Sequence, residues 1–323
     1  MHRRTFLQTM SFALAAGTLG VATRKTLASG SAPTITLDAA TYRRERRHAH
    51  LPCGDVAYLD RGRGPATLFL HGFPLNSFQW RGVIAQLSGE RRCIAPDWLG
   101  LGYTHVAPGR AVTPAAQVNM LIALLDLLHV VTVDVVANDS GGAIAQCLMT
   151  RHPERVRTLL LTNCDVENDS PPAALQPVIE MSRKGRFVDQ WLAPWLADKA
   201  LARSPQGIGG MCYQFPEHPT DEALDYYLSP LCQPAQKPWV HAYALGLTPN
   251  PLAGIEPQLK HSRVPTRILW GTGDDIFSQA SPDYLQRTLG NPRGIRRIPG
   301  AKLFFPEEYP DVIVEELRRL WAA

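Results

Sequence analysis

One short segment brings together the residues best suited to chemistry. Val136-Ala137-Asn138-Asp139-Ser140-Gly141-Gly142 follows a valine-rich run and leads into a stretch of small and apolar residues. A strand that bends sharply into a helix crowds its apex residue, so the positions two before and two after must be small. With Asp139 at the apex, those positions are Ala137 and Gly141. With Ser140 there, they are Asn138 and Gly142, a poorer fit, and Asp139 is the candidate nucleophile. A carboxylate presented this way can attack a saturated carbon, displace a leaving group or open a strained ring, and become an ester. Ser140 in the apex position would instead make the chain a serine esterase.

The elements needed to build such a bend are legible on both sides of it. Val130 to Ala137 reads as a strand buried on both faces, and Gly141 to Arg151 as a helix packed on the sheet. Upstream, Asp55–Leu59, Ala66–Leu70 and Cys93–Pro96 read as strands, with turns at Gly62–Pro65 and Asp97–Gly100. Thr113–Leu128 reads as a helix with Thr113-Pro114 as cap and first turn, and Val118, Leu121, Ile122, Leu125 and Leu128 on one face. Arg157–Leu161, Thr266–Trp270 and Gly294–Ile298 are further strands, and Asp311–Trp321 a closing helix. Strands alternating with helices predict an α/β fold with a mostly parallel sheet and helices on both faces. Residues 165–263 break the rhythm with many prolines and aromatics. They are expected to form a helical lid over the C-terminal edge of the sheet, between core segments 33–164 and 264–323.

The elbow resembles that of haloalkane dehalogenases and epoxide hydrolases of the α/β-hydrolase fold, written G-H-D-x-G-G, with Ala137 and Asn138 in the first two positions. His71-Gly72-Phe73-Pro74, followed by Trp80, resembles the oxyanion-loop segment of the same families. The resemblance spans roughly residues 52–320. It implies a hydrolase for a small apolar epoxide, haloalkane or ester, with Phe73 and Ser140 supplying backbone N–H donors to developing charge. Leu269-Trp270-Gly271-Thr272-Gly273-Asp274 resembles the loop that carries the catalytic acid, which makes Asp274 that acid, with Asp275 adjacent as an alternative.

The same families place a histidine after the last strand, and here the pattern departs from them. Pro299–Pro310 resembles the histidine loop, yet Leu303 stands where the imidazole belongs. Ester formation on Asp139 needs no base, but ester hydrolysis by water does. Lys302, His71, His241, His261 or Asp274 acting through water are the remaining groups that could supply one. His71, Trp239, His241 and Tyr243 are the candidate substrate-contacting residues, and lid tyrosines could polarise an epoxide oxygen. The halide-binding Trp that comes directly after the nucleophile in many dehalogenases is replaced by Ser140, and Phe73 replaces their oxyanion-loop Asn, which weakens a haloalkane assignment and leans the reading toward an epoxide-hydrolase-like or unassigned substrate. The missing imidazole also motivates a non-hydrolytic alternative, a lyase-like enzyme or binding module.

Charge and composition narrow the remaining classes. The chain of 323 residues carries 33 basic and 29 acidic side chains. Arg3, Arg4, Arg24 and Lys25 lie within residues 1–32, which hold no acid, so residues 33–323 carry 29 of each sign. That balance speaks against nucleic acid as a partner. Arg3-Arg4-Thr5-Phe6-Leu7, the apolar run Met10–Ala22 and small residues to Ala32 read as a twin-arginine signal peptide. The expected destination is the periplasm or beyond, with no membrane association once the signal is removed. No cofactor motif is present. His48, His50 and Cys53 lie close together, but no second ligand pair occurs at metal spacing from them. Cys212 and Cys232 could pair in an oxidising compartment. The sequence leaves the oligomeric state open.

Overall fold

The computed structural model describes residues 37–322; the twin-arginine segment, residues 1–32, lies outside the described residues. The described strands are β1 (Arg47–Leu51), β2 (Gly54–Arg61), β3 (Ala66–Leu70), β4 (Arg92–Pro96), β5 (His105–Val106), β6 (Val133–Asp139), β7 (Val156–Cys164), β8 (Thr266–Gly271) and β9 (Pro292–Ile298). They form one sheet in the order β1-β2-β4-β3-β6-β7-β8-β9, with β5 added to β2. From β4 to β9 along this order the pairing is parallel. At the other end β1, β2 and β5 pair antiparallel, and β2 meets β4 antiparallel.

Strand β6 lies between β3 and β7 with every residue buried, as Val133, Val135, Val136 and Ala137 require. It begins three residues later than the valine run suggests. His129 adopts a positive φ of 54°, and Arg155 takes the carbonyls of Val130 and Val131, so those carbonyls bond outside the sheet. Asp134 is tolerated near the start of β6 because Arg91, Arg157 and Thr158 all donate to its carboxylate.

Helices α1 (Ala39–Glu45), α2 (Arg81–Leu87), α3 (Pro114–Leu127) and α4 (Ser140–Arg151) precede the second half of the sheet. Thr113 caps α3, accepting the Ala116 N–H, with Pro114 in the first turn. From β3 the chain moves to β4 on one side, then returns to β6 on the other. The crevice at the C-terminal ends of β3 and β6 is therefore a topological switch point, the place where such sheets bind ligands.

Between β7 and β8 the chain supplies α5 (Gln176–Arg183), a π-helical turn at Val188–Leu192, α6 (Ala193–Ala197), α7 (Lys199–Arg203), α8 (Ile208–Cys212), α9 (Asp221–Leu231), α10 (Lys237–Gly246) and α11 (Glu256–His261). The last of these packs on α4 and on α12 (Ser281–Thr288). The chain ends in α13 (Phe305–Glu308) and α14 (Pro310–Trp321). All six cysteines are free thiols, Cys212 and Cys232 included.

One buried ion pair ties the inserted helices to the core. Arg81 of α2 lies 3.1 Å from Glu307 of α13, and Tyr227 of α9 donates to the same carboxylate. Burial alone would push the Glu307 pKa up, but Arg81, His218 and Tyr227 outweigh it and hold it at about 2. Removing one member of such a pair strands the other in low dielectric. Arg81→Met is therefore expected to destabilise the fold by about 3–5 kcal/mol, measured by urea unfolding at neutral pH. Arg81→Met/Glu307→Leu should lose less than the sum of the two single changes. A loss for Arg81→Met below about 1 kcal/mol would show that the pair is not an anchor.

Candidate active site

Asp139 ends β6 with φ 55° and ψ −133°. A positive φ is costly for a residue with a Cβ, by roughly 1–3 kcal/mol, and only His129 shares it among the described non-glycine residues. The Asp139 side chain does not cap α4. Instead, the Phe73 backbone N–H donates to Oδ2 at 2.7 Å. The Ser140 N–H, at the start of α4, faces the same carboxylate.

Three glycines permit this approach. A Cβ on Gly72 would stand 2.7 Å from Asp139 Oδ2, and one on Gly141 would stand 2.7 Å from the carbonyl oxygens of Leu70 and His71. A Cβ on Gly142 would meet the Cys164 Cβ at 2.3 Å. Asn138 locks the bend from behind. Its amide nitrogen donates to Thr162 Oγ1, to the Asn163 carbonyl and to the Leu303 carbonyl, at 2.8, 3.1 and 3.0 Å. Its oxygen accepts from Gln79 Nε2, and Gln79 Oε1 accepts the Gly72 N–H. Neither Asn138 nor Gln79 stood out in the sequence as a positioning residue, although an amide inside an otherwise apolar strand was the available signal.

Asp139 opens onto a cavity of about 140 Å³, a space comparable to engineered cavities that hold a benzene-sized molecule. Its wall is mostly carbon, with Phe187, Trp191, Trp195, Ile208, Leu247 and Leu303 among the contributors. Asp139, Ser140, Asp165 and Cys212 are its polar or ionisable side chains. Burial, then the charge of Asp165, push the Asp139 pKa well above the usual carboxylate range, against the pull of the Phe73 and Ser140 N–H groups. Burial likewise raises Asp165 to about 7, opposed by the Ser170 hydroxyl and reinforced by Asp169. Asp165, which comes directly after β7, was not singled out from the sequence.

The residues named from the sequence fall into two groups. Asp139, Phe73 and Ser140 converge on the cavity as expected. Asp274 is buried and does not line the cavity, its Oδ2 accepting from Asn163 Nδ2 at 2.7 Å and its Oδ1 from the Ile276 N–H at 2.9 Å. Burial lifts its pKa to about 6, against those hydrogen bonds. Asp275 is exposed. Leu303 lines the cavity.

The expected substitutes for the missing imidazole lie elsewhere, as do most of the expected substrate contacts. His71 is fully buried, with Nδ1 2.9 Å from the Gly72 carbonyl and Nε2 accepting the Trp98 N–H at 3.2 Å. Burial lowers its pKa to about 4, so it is a neutral structural ring with no wall on the cavity. His241 accepts the Val188 N–H, which turns it to the π-helical turn. His261 is exposed, near the Pro257 carbonyl. Lys302 reaches away to the Gly210 carbonyl at 2.5 Å. Trp239 faces a different surface depression, beside Tyr103 and Gln236. Tyr243 stacks on Phe73 at 5.5 Å and shares a hydrogen bond with Ser140 Oγ at 3.1 Å, supporting the site without lining it. No tyrosine of the inserted helices lines the cavity. His48 and His50 each pair with Asp55 on the β1–β2 hairpin, and no metal-binding cluster occurs among the described residues.

A family profile described as alpha/beta hydrolase fold matches residues 65–309. The chain is 38% identical over 105 residues to a 2-hydroxymuconate semialdehyde hydrolase of Pseudomonas sp. (strain CF600), covering 32% of this chain and 37% of that protein. It is 40% identical over 102 residues to a haloalkane dehalogenase of Mesorhizobium japonicum (strain LMG 29417 / CECT 9101 / MAFF 303099), covering 31% and 33%. The chain thus spans about a third of the length of these two curated relatives. Among solved structures it is similar to the epoxide hydrolase CorEH without ligand, with a TM-score of 0.72, 19% identity, and coverage of 86% of this chain and 98% of that one. An alpha/beta hydrolase fold protein from Burkholderia ambifaria gives a TM-score of 0.73 and 22% identity, covering 88% and 98%. At these identities the structural likeness concerns the fold.

The raised pKa of Asp139 has a consequence for stability. The folded state favours the protonated carboxyl, so that contribution is present below the unfolded value and is lost as pH rises. Asp139→Asn removes the buried charge and keeps the shape. It is expected to raise Tm at about pH 8, with the gain shrinking toward about pH 4, where the unfolded carboxyl is itself protonated. Thermal melts across this range check it, and a Tm that falls at high pH would show that the N–H donors outweigh burial.

Proposed function

The chain belongs to the alpha/beta hydrolase fold family, and on that premise we propose that it hydrolyses a small apolar substrate through an ester formed on Asp139. The observation that carries this reading is the Asp139 carboxylate itself, held at a strained bend, open to an apolar cavity, with the Phe73 N–H on Oδ2. In its ionised form, a carboxylate in that apolar setting faces whatever fills the cavity. Attack at carbon makes an alkyl ester and discharges the leaving group. Water then attacks the ester carbonyl, and the Phe73 and Ser140 N–H groups stabilise the oxyanion. Haloalkanes, epoxides and small esters are the substrate classes that suit the volume and the carbon-rich wall. The name of one similar protein, a haloalkane dehalogenase, supports the first of these.

A second reading arises from Leu303 and from the bond between Asp274 and Asn163, which together leave no imidazole beside Asp139. In it, Asp139 acts as an acid or base in a lyase-like reaction and no ester forms. A serine esterase through Ser140 has less support, because that hydroxyl has Tyr243 as its side-chain partner and no base among the described residues. The order of charge, apolar run and small residues in residues 1–32 supports export by the twin-arginine route as part of the proposal.

Purified protein incubated with a panel of haloalkanes, epoxides and esters is expected to show turnover, or an intact-mass adduct that maps to Asp139. Asp139→Asn should lower kcat/KM by about a thousandfold or more. Product formation that survives Asp139→Asn, or neither product nor adduct across the panel, would overturn the ester mechanism.

A further inference from the structure

The proposed chemistry lacks both an acid for the leaving group and a base for water, and one unassigned residue is placed to serve as both. We propose that Asp165 is the proton-transferring catalytic residue of this site, and that its substrate class is the epoxides. The inference rests on the Asp139 ester reading and deepens it.

Geometry comes first. Asp139 pairs in register with Cys164 of β7, so Asp165, one residue further, leaves the sheet beside the elbow. It lines the same cavity as Asp139 and is 4% exposed. Gln146 of α4 fixes it there, donating to the Asp165 carbonyl at 2.8 Å and to the Gly142 carbonyl at 3.1 Å. One side chain thus sets Asp165 relative to the helix that begins at the elbow.

The other proton donors are engaged or unsuited. Tyr243 is committed to Ser140, Tyr213 and Tyr227 face Glu307, and Tyr226 accepts from Arg46. Cys212 lines the cavity, but burial pushes its thiol well above the ordinary value. Ionisable groups that interact with the Asp165 carboxyl include Asp139 from β6, Asp169 from its own loop, Tyr243 from α10, Cys147 from α4 and Cys164 from β7. None of them is a cation, so nothing in this set holds Asp165 ionised. Its pKa of about 7 suits a group that both gives and takes a proton near neutrality.

The cycle balances with one proton shared by two carboxyls: burial and the Asp165 charge favour that proton on Asp139, and the reactive form is the one in which it has moved to Asp165. The Asp139 carboxylate forms a bond to an epoxide carbon while the ring C–O bond breaks, and the ring oxygen takes the proton of Asp165. The Asp165 carboxylate then accepts a proton from water as water adds to the ester carbonyl. When the tetrahedral intermediate collapses, the ester C–O bond breaks and the departing alkoxide takes that proton back. Asp139 is left protonated, and its proton passes to Asp165. The net change is epoxide plus water to diol. A halide needs no proton to depart, so the first half of the cycle separates the two substrate classes.

Asp165→Asn, checked for a native circular dichroism spectrum and a melting temperature no lower than that of wild type, is compared with wild type in single turnovers on butylene oxide and butyl bromide. Intact mass tracks ester formation and decay. With the oxide, ester formation should slow by about a hundredfold or more. With the bromide, ester should form within a few-fold of the wild-type rate and then persist, because its hydrolysis has lost the base. Wild-type hydrolysis of the ester should rise with pH through an ionisation that Asp165→Asn lacks. Equal slowing of ester formation on both substrates, or no slowing on either, would overturn the role of Asp165 and leave the Asp139 ester standing. No ester on wild type or variant with either substrate, and no product, would remove the Asp139 reading itself.

Discussion

The hydrogen bond from the Phe73 backbone N–H to the Asp139 carboxylate is 2.7 Å long and spans the switch point of the sheet. Much of the surrounding sequence serves to let those two atoms meet. Gly72 removes the Cβ that would strike the carboxylate, and Gly141 and Gly142 let α4 start against the ends of β3 and β7. Asn138 and Gln79 then join the bend, the Gly72 loop and the loop after β9 in one chain of buried hydrogen bonds. A buried polar chain of this kind stabilises only when its members are satisfied, and each of these amides has partners for both its oxygen and its nitrogen. The cost of a strained, desolvated carboxylate is offset by this scaffold, which is the usual relation between a reactive group and a rigid frame.

The inserted helices supply the second requirement, an apolar and shaped space over that carboxylate. Phe187, Trp191 and Trp195 give the wall large apolar surface, while Tyr243 stacks behind Phe73 and steadies the N–H donor. Arg81 and Glu307, with Tyr227, bind these helices to the loop that carries Leu303 and Phe304. Placement of the wall therefore depends on an ion pair remote from the proposed chemistry. Burial raises both Asp139 and Asp165, and the Asp165 charge raises Asp139 further, since a like charge nearby disfavours ionisation. On the proposed reading, this electrostatic conflict is what equips the site to work without an imidazole.

The parallel half of the sheet, the elbow register and the Phe73 loop were legible in the sequence because each rests on local rules. Runs of β-branched residues, small residues around a bend and a capped amphipathic helix are all short-range signals. The antiparallel hairpin of β1 and β2 escaped because Arg47–Leu51 is polar and mostly exposed, with only Ala49 buried. Side-chain direction was less accessible. His71, His241, Trp239 and Tyr243 were grouped by type and neighbourhood, yet each points where its hydrogen bonds or stacking take it. Asp165 was missed for the converse reason. It stands among acids in Asp165-Val166-Glu167-Asn168-Asp169, where a solvated loop is the natural reading, and only the register of β7 against β6 brings it to the cavity.

Oxygen tracing tests the central claim most directly. If the Asp139 carboxylate bonds to substrate carbon, its own oxygen leaves with the product and one from water replaces it. Repeated turnover in water enriched in oxygen-18, with peptide mass analysis afterwards, should therefore place the heavy isotope in the Asp139 side chain. A single turnover should yield product carrying unlabelled oxygen. Label that enters the product from the first turnover while Asp139 stays unlabelled would mean that water attacks substrate directly, and would contradict the ester.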